Sequence, residues 1–80
     1  MEVKLTEQAK KDLKILDKQI QNKIFNILFR IQDNFYNIDL KKLQGKPDRW
    51  RIRVGNYRII FEKEKDYISI IAIKHRKEAY

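Results

Sequence analysis

Hydrophobic and polar residues alternate most regularly in the middle of the chain. Trp50, Ile52 and Val54 are apolar, and Arg51 and Arg53 lie between them. A period of two directs successive side chains to opposite faces of a β-strand. The pattern therefore predicts a strand with one apolar face, which packs on a core, and one basic face.

A tight turn is predicted to join this strand to a second one. Gly55 begins a two-residue loop, and the β-rich run 57 to 61 follows it. Glycine in the first position of such a loop suits the positive φ of a type II′ turn. The hairpin register then places Arg53 opposite Arg58, on the same face as Arg51, although like charges directly opposite each other repel.

The residues before the hairpin predict one short strand and two helices. Val3 and Leu5 alternate with polar residues, as in a half-buried strand. Thr6 is the expected N-cap of the first helix and Asp17 that of the second. The apolar positions at helical spacing are Ala9, Leu13 and Leu16 in the first helix, and Ile20, Ile24, Ile27, Leu28 and Ile31, widened by Phe25 and Phe29, in the second. The first helix is expected to end near Leu16.

The last strand is predicted at residues 67 to 74, which are apolar on both faces, as in the interior of a sheet. The predicted order is β-α-α-β-β-β. This is an α+β fold in which a helix hairpin packs on one face of a four-stranded, mostly antiparallel, twisted sheet. Eighty residues support one core, so residues 1–80 are predicted to form a single domain.

Positive charge is concentrated in one part of the chain. The net charge is +8, and residues 41 to 58 hold seven Lys and Arg against Asp48 alone. A local excess of this kind favours nucleic acid as the partner. The simpler interpretation is that long arginine stems cover a solvated sheet face. Outside the hairpin arginines, the residues expected to contact RNA are Lys41, Lys42, Lys46, Arg49, Lys74 and Lys77.

Several other classes of protein are disfavoured by what the sequence lacks. The absence of cysteine excludes a disulfide framework and a thiolate metal site, and it fits a cytoplasmic protein. No 18-residue apolar run or charged leader is present, which argues against a membrane or secreted protein. The basic stretch lacks the carboxylates of a two-metal nuclease, and Ser69 is the only serine. We therefore expect no metal and no cofactor.

Metal-independent cleavage of RNA is the chemistry that remains, because the 2′-hydroxyl of the substrate supplies the nucleophile. Such a site needs cations for the charge on phosphorus, a group that transfers protons and a ring that stacks on a base. The candidate catalytic residues are the cations Arg51, Arg53, Arg58 and Arg76, the proton-transfer group His75, and the aromatic residue Tyr80. A lone histidine is, however, more often a surface or structural residue than a catalyst.

The segment LQGKPDRWRIRVGNYRIIF at 43 to 61 and the ending HRKEAY at 75 to 80 resemble the RelE/ParE superfamily of toxins from toxin–antitoxin pairs. The resemblance covers nearly the whole chain. It implies a toxin that cleaves mRNA in the ribosomal A site without metal, as RelE-type members do. It also implies an acidic antitoxin that wraps the toxin, with operator DNA contacted only through the antitoxin complex.

The resemblance also implies roles for individual residues. Basic residues before the turn, at the positions of Arg51 and Arg53, contact phosphate or assist proton transfer. The arginine after the turn tyrosine, here Arg58, stabilises the transition state. A basic tail residue and the closing tyrosine support the nucleotide, which matches Arg76 and Tyr80; a slip in the alignment would put Lys74 in the role of Arg76.

One departure from the RelE pattern leaves the proton transfer open. RelE-type sites often have lysines at the first two basic positions, whereas this chain has arginines, and arginine is a poor general base. Either His75 takes over the proton transfer, or the activity is slow, or the chain binds without cutting. The alternatives to an endoribonuclease are a ParE-like inhibitor of DNA gyrase and a non-cleaving RNA- or ribosome-binding module.

Overall fold

The computed structural model describes residues 2–33, 40–42 and 49–77. Within these ranges the strands are β1 (Glu2–Leu5), β2 (Leu40–Lys42), β3 (Arg49–Val54), β4 (Tyr57–Lys63) and β5 (Tyr67–His75), and the helices are α1 (Glu7–Lys14) and α2 (Lys18–Asp33). The strands form one sheet in the order β1-β5-β4-β3-β2. β1 is parallel to β5, and the other neighbouring strands are antiparallel.

The α+β class and the predicted order of elements are confirmed, with one addition. β2, a three-residue strand, pairs with β3 at the edge of the sheet and extends the four predicted strands to five. β5 has a neighbour on each side, as its apolar sequence predicted.

Both predicted N-caps are present. The Thr6 side-chain oxygen accepts a hydrogen bond from the N–H of Ala9 at 3.1 Å, and Asp17 Oδ1 accepts one from the N–H of Ile20 at 3.0 Å. These bonds satisfy N–H groups of the first turn that have no partner within the helix. α1 ends at Lys14, two residues before the predicted end.

The core lies between the helices and one face of the sheet. Its buried residues are Ala9, Leu13, Ile24, Leu28 and Ile31 from the helices, and Ile52, Val54, Ile59, Phe61, Ile68, Ile70 and Ile73 from the strands. Two residues expected in this core lie outside it: Phe25 is 43% exposed and Phe29 is 63% exposed. Each follows a buried residue by one position, which is about 100° round the helix, so each lies beside the buried stripe.

A β-bulge interrupts the pairing of β4 with β5. Ile60 pairs with Ala72, whereas the next residue, Phe61, pairs with Ile70. Ile71 is therefore an extra residue in β5, and the alternation of its side chains changes phase at this point. The bulge decides which residues at the end of β5 face the helices.

Residues of α1 and its cap satisfy the backbone groups at the bulge. The Thr6 hydroxyl donates a hydrogen bond to the carbonyl oxygen of Ile71 at 2.9 Å. Asp12 Oδ2 accepts one from the N–H of Ile73 at 3.0 Å. A bulge leaves strand groups without ladder partners, so these two side chains hold the irregular backbone in place.

Candidate nucleic-acid interface

Basic side chains occupy the face of the sheet opposite the helices. Ile52 and Val54 are buried in the core, so Arg51 and Arg53, which alternate with them, lie on the other face. The observed register pairs Arg53 with Arg58, as the hairpin turn predicted. We call this side of β3, β4 and β5 the arginine face; it carries Arg49, Arg51, Arg53, Arg58, Ile60, Glu62, Ser69, Ala72 and Lys74.

Three cations lie side by side across the arginine face at the end nearest the hairpin turn. Arg53 pairs with Arg58, and Arg58 pairs with Lys74 on the next strand. Arg53 and Lys74 are exposed and Arg58 is half-buried. Directly opposed side chains have Cβ atoms roughly 5 Å apart, so these like charges repel each other. We call Arg53, Arg58 and Lys74 the cationic row; an anion bound there would remove the repulsion.

A pocket of about 220 Å³ opens beside the cationic row, at the hairpin turn. Its lining residues are Arg53, Gly55, Asn56, Tyr57, Arg58 and Arg76. Pockets that enclose a drug-sized ligand are larger, about 300–1,000 Å³. The volume therefore suits a phosphate group and its sugar, with the rest of a strand lying outside.

A backbone hydrogen bond brings Arg76 to this pocket. The N–H of Arg76 donates to the carbonyl oxygen of Asn56 at 2.7 Å, which fastens the residues after β5 to the hairpin turn. Arg53 is held nearby by a long hydrogen bond of 3.5 Å from its Nε to the carbonyl oxygen of Gly55. With Arg58, three guanidinium-bearing residues thus border one pocket.

The surroundings of the basic residues change away from the hairpin turn. Arg51 is half-buried, and its register partners are the apolar residue Ile60 on β4 and the basic residue Lys41 on β2. Arg49 pairs with Glu62, and its guanidinium lies 3.5 Å from the carboxylate, with each side chain 31% exposed. The predicted RNA contact of Arg49 thus has a competing acidic partner.

The structure does not bring His75 to the cationic row. His75 pairs with Tyr57, and this pair lies on the helix side of the sheet, since the next pair along, Arg58 with Lys74, lies on the other side. The His75 and Tyr57 rings meet edge to face, with centroids 5.1 Å apart and an interplanar angle of 89°. Nδ1 of His75 accepts a hydrogen bond from the N–H of Lys77 at 3.2 Å.

Some predicted contacts fall outside the described residues. Tyr80 and Lys46 lie outside them altogether, and Lys41 and Lys42 are described only by their backbone in β2. Lys77 is exposed and lines a second pocket, of about 290 Å³, with Asn56, His75 and Arg76. The roles assigned to these four lysines, and to Tyr80, stay predictions.

Two features of this surface were not predicted from the sequence: the residues of the turn that line the pocket, and the place of Lys74 in the cationic row. Asn56 and Tyr57 were assigned only to the turn and the strand, yet both line the pocket. The turn itself was the available signal, since its residues adjoin Arg53 and Arg58. The place of Lys74 in the cationic row depends on the bulge, and the sequence of β5 has no glycine that would have indicated a bulge.

Two further properties bear on the site. Nowhere in the described ranges do three or more His, Asp or Glu side chains converge as they would to hold a metal ion. Neither helix in those ranges combines the length and the hydropathy that crossing a lipid bilayer requires.

Comparison with known proteins gives one family match and similar whole chains. Residues 3–80 match the family described as ParE toxin of type II toxin-antitoxin system, parDE. Toxin RelE3 of Methanocaldococcus jannaschii is 37% identical over 84 aligned residues, which span 100% of this chain and 96% of the relative.

Two solved complexes contain chains with a similar fold. In the RelB-RelE antitoxin-toxin complex from Methanococcus jannaschii, the similar chain has a TM-score of 0.86 and 34% identity, over 96% of this chain and 94% of that chain. In the archaeal RelE-RelB complex from Pyrococcus horikoshii OT3, the corresponding values are 0.74 and 29%, over 94% of this chain and 93% of that chain. The similarity therefore extends over nearly the full length of each chain.

Proposed function

Because this chain belongs to the RelE/ParE superfamily of toxins from type II toxin–antitoxin systems, we propose that it stops translation by cleaving mRNA on the ribosome. The observation that carries the proposal is the cationic row with Arg76 at the pocket beside it. A row of like charges on the helix-free face is complementary to the phosphates of an RNA strand.

In the proposed reaction the RNA attacks itself. The 2′-oxygen forms a bond to phosphorus while the bond from phosphorus to the 5′-oxygen breaks, which leaves a 2′,3′-cyclic phosphate and a 5′-hydroxyl. Charge builds up on the phosphoryl oxygens in the transition state, and Arg58, at the centre of the row, is placed to stabilise it. Arg53 and Arg76, which line the same pocket, hold the phosphate with Arg58.

The reaction also requires one proton to leave the 2′-hydroxyl and one to reach the 5′-oxygen. A guanidinium does not give up its proton in proteins, whereas a lysine ammonium can donate one. We assign the proton donation to the 5′-oxygen to Lys74, which lies in the row next to Arg58, and the proton of the 2′-hydroxyl passes to water. His75 is not given this role because its ring lies on the helix side of the sheet.

The change Lys74→Arg tests this assignment, because it keeps the positive charge and removes the amine. We expect single-stranded RNA to bind with unchanged affinity while mRNA cleavage on the ribosome falls by about 10²–10⁴-fold, the usual contribution of general acid–base catalysis. Cleavage at the parent rate would show that the proton is moved by another group.

A cognate antitoxin is the second proposed partner. Relatives of this chain were solved in RelB-RelE complexes, and the net charge of +8 favours an acidic partner. The antitoxin would wrap the toxin in the cytoplasm, and operator DNA would be contacted only through the complex. Co-expression of this chain with an acidic protein encoded by the adjacent gene should yield a complex that purifies as one species and does not cut mRNA.

A ParE-like inhibitor of DNA gyrase is the second candidate function. It is favoured by one observation, the description of the matching family as ParE toxin. Such an inhibitor would act through protein contacts and would not need the cationic row.

Two assays run side by side separate these candidates. Purified chain is added to ribosomes stalled on a defined mRNA, with primer extension to detect cuts, and to gyrase with relaxed plasmid, to detect loss of supercoiling. We expect cuts in the mRNA and unchanged supercoiling. Inhibited gyrase without cuts would support the ParE-like function, and salt-sensitive RNA binding without cuts would support a binding module.

A further inference from the structure

Two hydrogen bonds hold the turn that follows β5: one lies within the turn, and the other joins the turn to the hairpin. Nδ1 of His75 accepts the N–H of Lys77 at 3.2 Å, which closes the turn on itself. Between them, the N–H of Arg76 donates to the carbonyl oxygen of Asn56 at 2.7 Å, which ties the turn to the hairpin. The conformation of the turn therefore fixes the Cα of Arg76, from which its side chain extends.

The His75 ring has a second contact, which sets its orientation. Its edge-to-face packing with Tyr57 joins the end of β5 to the start of β4. Tyr57 also lines the pocket of about 220 Å³ that Arg53 and Arg58 border. The ring thus contacts a residue of this pocket from the helix side of the sheet.

Arg76 is the residue that this arrangement serves. It lines both the pocket at the cationic row and the second pocket, of about 290 Å³, that His75 and Lys77 line. Among the described residues, its side chain forms no ion pair, so no described carboxylate holds its guanidinium. The backbone of the turn positions its Cα, and a change in that backbone would move the guanidinium relative to both pockets.

We propose that His75 is a positioning residue, which holds the turn at residues 75–77 so that Arg76 reaches the RNA phosphate bound at the cationic row. This inference rests on the proposed function. It gives His75 the role of a hydrogen-bond acceptor. In a neutral imidazole one nitrogen accepts and the other donates, so acceptance at Nδ1 leaves the hydrogen on Nε2.

Two substitutions at residue 75 separate this role from proton transfer. His75→Asn keeps an oxygen close to the position of Nδ1, and asparagine accepts the N–H two residues on in Asx turns, but it transfers no proton. His75→Phe keeps an aromatic ring against Tyr57 and has no acceptor. We expect His75→Asn to cut ribosome-bound mRNA within about threefold of the parent rate and His75→Phe to lose about 10- to 100-fold, as misplaced binding groups do.

A double substitution tests whether His75 acts through Arg76. Residues that act as a unit have non-additive effects. Adding His75→Phe to Arg76→Ala should therefore slow cleavage by less than about twofold beyond Arg76→Ala alone. Losses that multiply in the double variant would overturn the proposal, and so would a His75→Asn variant as slow as His75→Phe.

Binding of a single-stranded RNA oligonucleotide supplies a readout that does not depend on cleavage. The affinity of His75→Phe should fall about tenfold, like that of Arg76→Ala, and His75→Asn should bind like the parent chain. If the parent binds RNA without cutting it, the proposed ribonuclease fails while the order of affinities still tests His75. If the affinities of all four chains are equal, the role of His75 is wrong. Thermal unfolding of each variant ensures that the assays are run on folded protein.

Discussion

Lys74 and Arg49 both lie on the arginine face, but their electrostatic surroundings differ. Arg49 has Glu62 at 3.5 Å, so much of its charge is already balanced. Lys74 pairs in register with Arg58, a second cation, and forms no ion pair with any described residue. At the scale of the residue, the neighbours of a basic side chain on the arginine face determine how much of its charge is available to an anion.

The dependence of RNA binding on salt measures this difference. For a single strand, each phosphate contact contributes about −0.7 to the slope of log K against log salt concentration. We expect Lys74→Gln to reduce the slope by about 0.7 for a single-stranded RNA titrated between roughly 50 and 200 mM salt. The matched control, Arg49→Gln, should change the slope much less, because Glu62 competes for the arginine. Equal changes in the two variants would refute the special place of the cationic row.

The positive φ of Gly55 leads to a separate prediction about stability. Its φ is +59°, and a Cβ added to it would meet no atom within 4 Å, so the backbone conformation is what requires glycine. We expect Gly55→Ala to lower the free energy of unfolding by about 1–2 kcal/mol, measured by urea denaturation. Glu64→Ala, an exposed change in the other hairpin turn, should lie within about 0.5 kcal/mol of the parent. An unchanged Gly55→Ala variant would contradict the turn geometry.

At the scale of the element, the bulge in β5 divides the end of this strand between the two faces. From Ile70, strict alternation would put Ala72 and Lys74 in the core and His75 on the arginine face. The extra residue, Ile71, reverses this: Ile73 is buried in the core and Lys74 joins the cationic row. The bulge therefore determines which basic groups lie on the arginine face.

Asp12 should be required for the stability of this irregular strand. Its carboxylate accepts the N–H of Ile73, and removing the acceptor leaves a part-buried donor without its partner. We expect Asp12→Ala to lower the free energy of unfolding by about 1–3 kcal/mol and Asp12→Asn to lower it less, because an amide oxygen remains. Glu7→Gln, on the exposed side of α1, serves as the control and should change stability by at most about 0.5 kcal/mol. Similar values for Asp12→Ala and Glu7→Gln would show that the bulge does not depend on this bond.

The bulge also explains why the site was only partly predictable. The hairpin followed from strict alternation and from one glycine, so the shared face of Arg53 and Arg58 was predicted with the correct register. The apolar residues of β5 fit either face, and the backbone irregularity is stabilised by Thr6 and Asp12, more than 60 positions away in the chain. A sequence pattern contains no signal of that distant support, and so the sequence did not show that His75 and Lys74 lie on opposite faces of the sheet.

At the scale of the whole molecule, the sheet separates the core from the basic surface. One face packs on both helices and buries the apolar residues of β3, β4 and β5, and the other carries the cationic row. This division was predictable because the periods of the helices and of the hairpin fix their apolar sides. The short strand β2 was not predicted, because its three residues are too few to show a period.

The central claim is that the cationic row binds and cleaves RNA, and Arg58 is its middle member. The most direct test is the rate at which the parent chain and Arg58→Ala cut mRNA bound to ribosomes, with circular dichroism to establish that both are folded. We predict cutting by the parent and a loss of at least about 10²-fold in the variant, because a group that stabilises transition-state charge is removed. Equal rates for the two folded chains, or no cutting by the parent, would contradict the account.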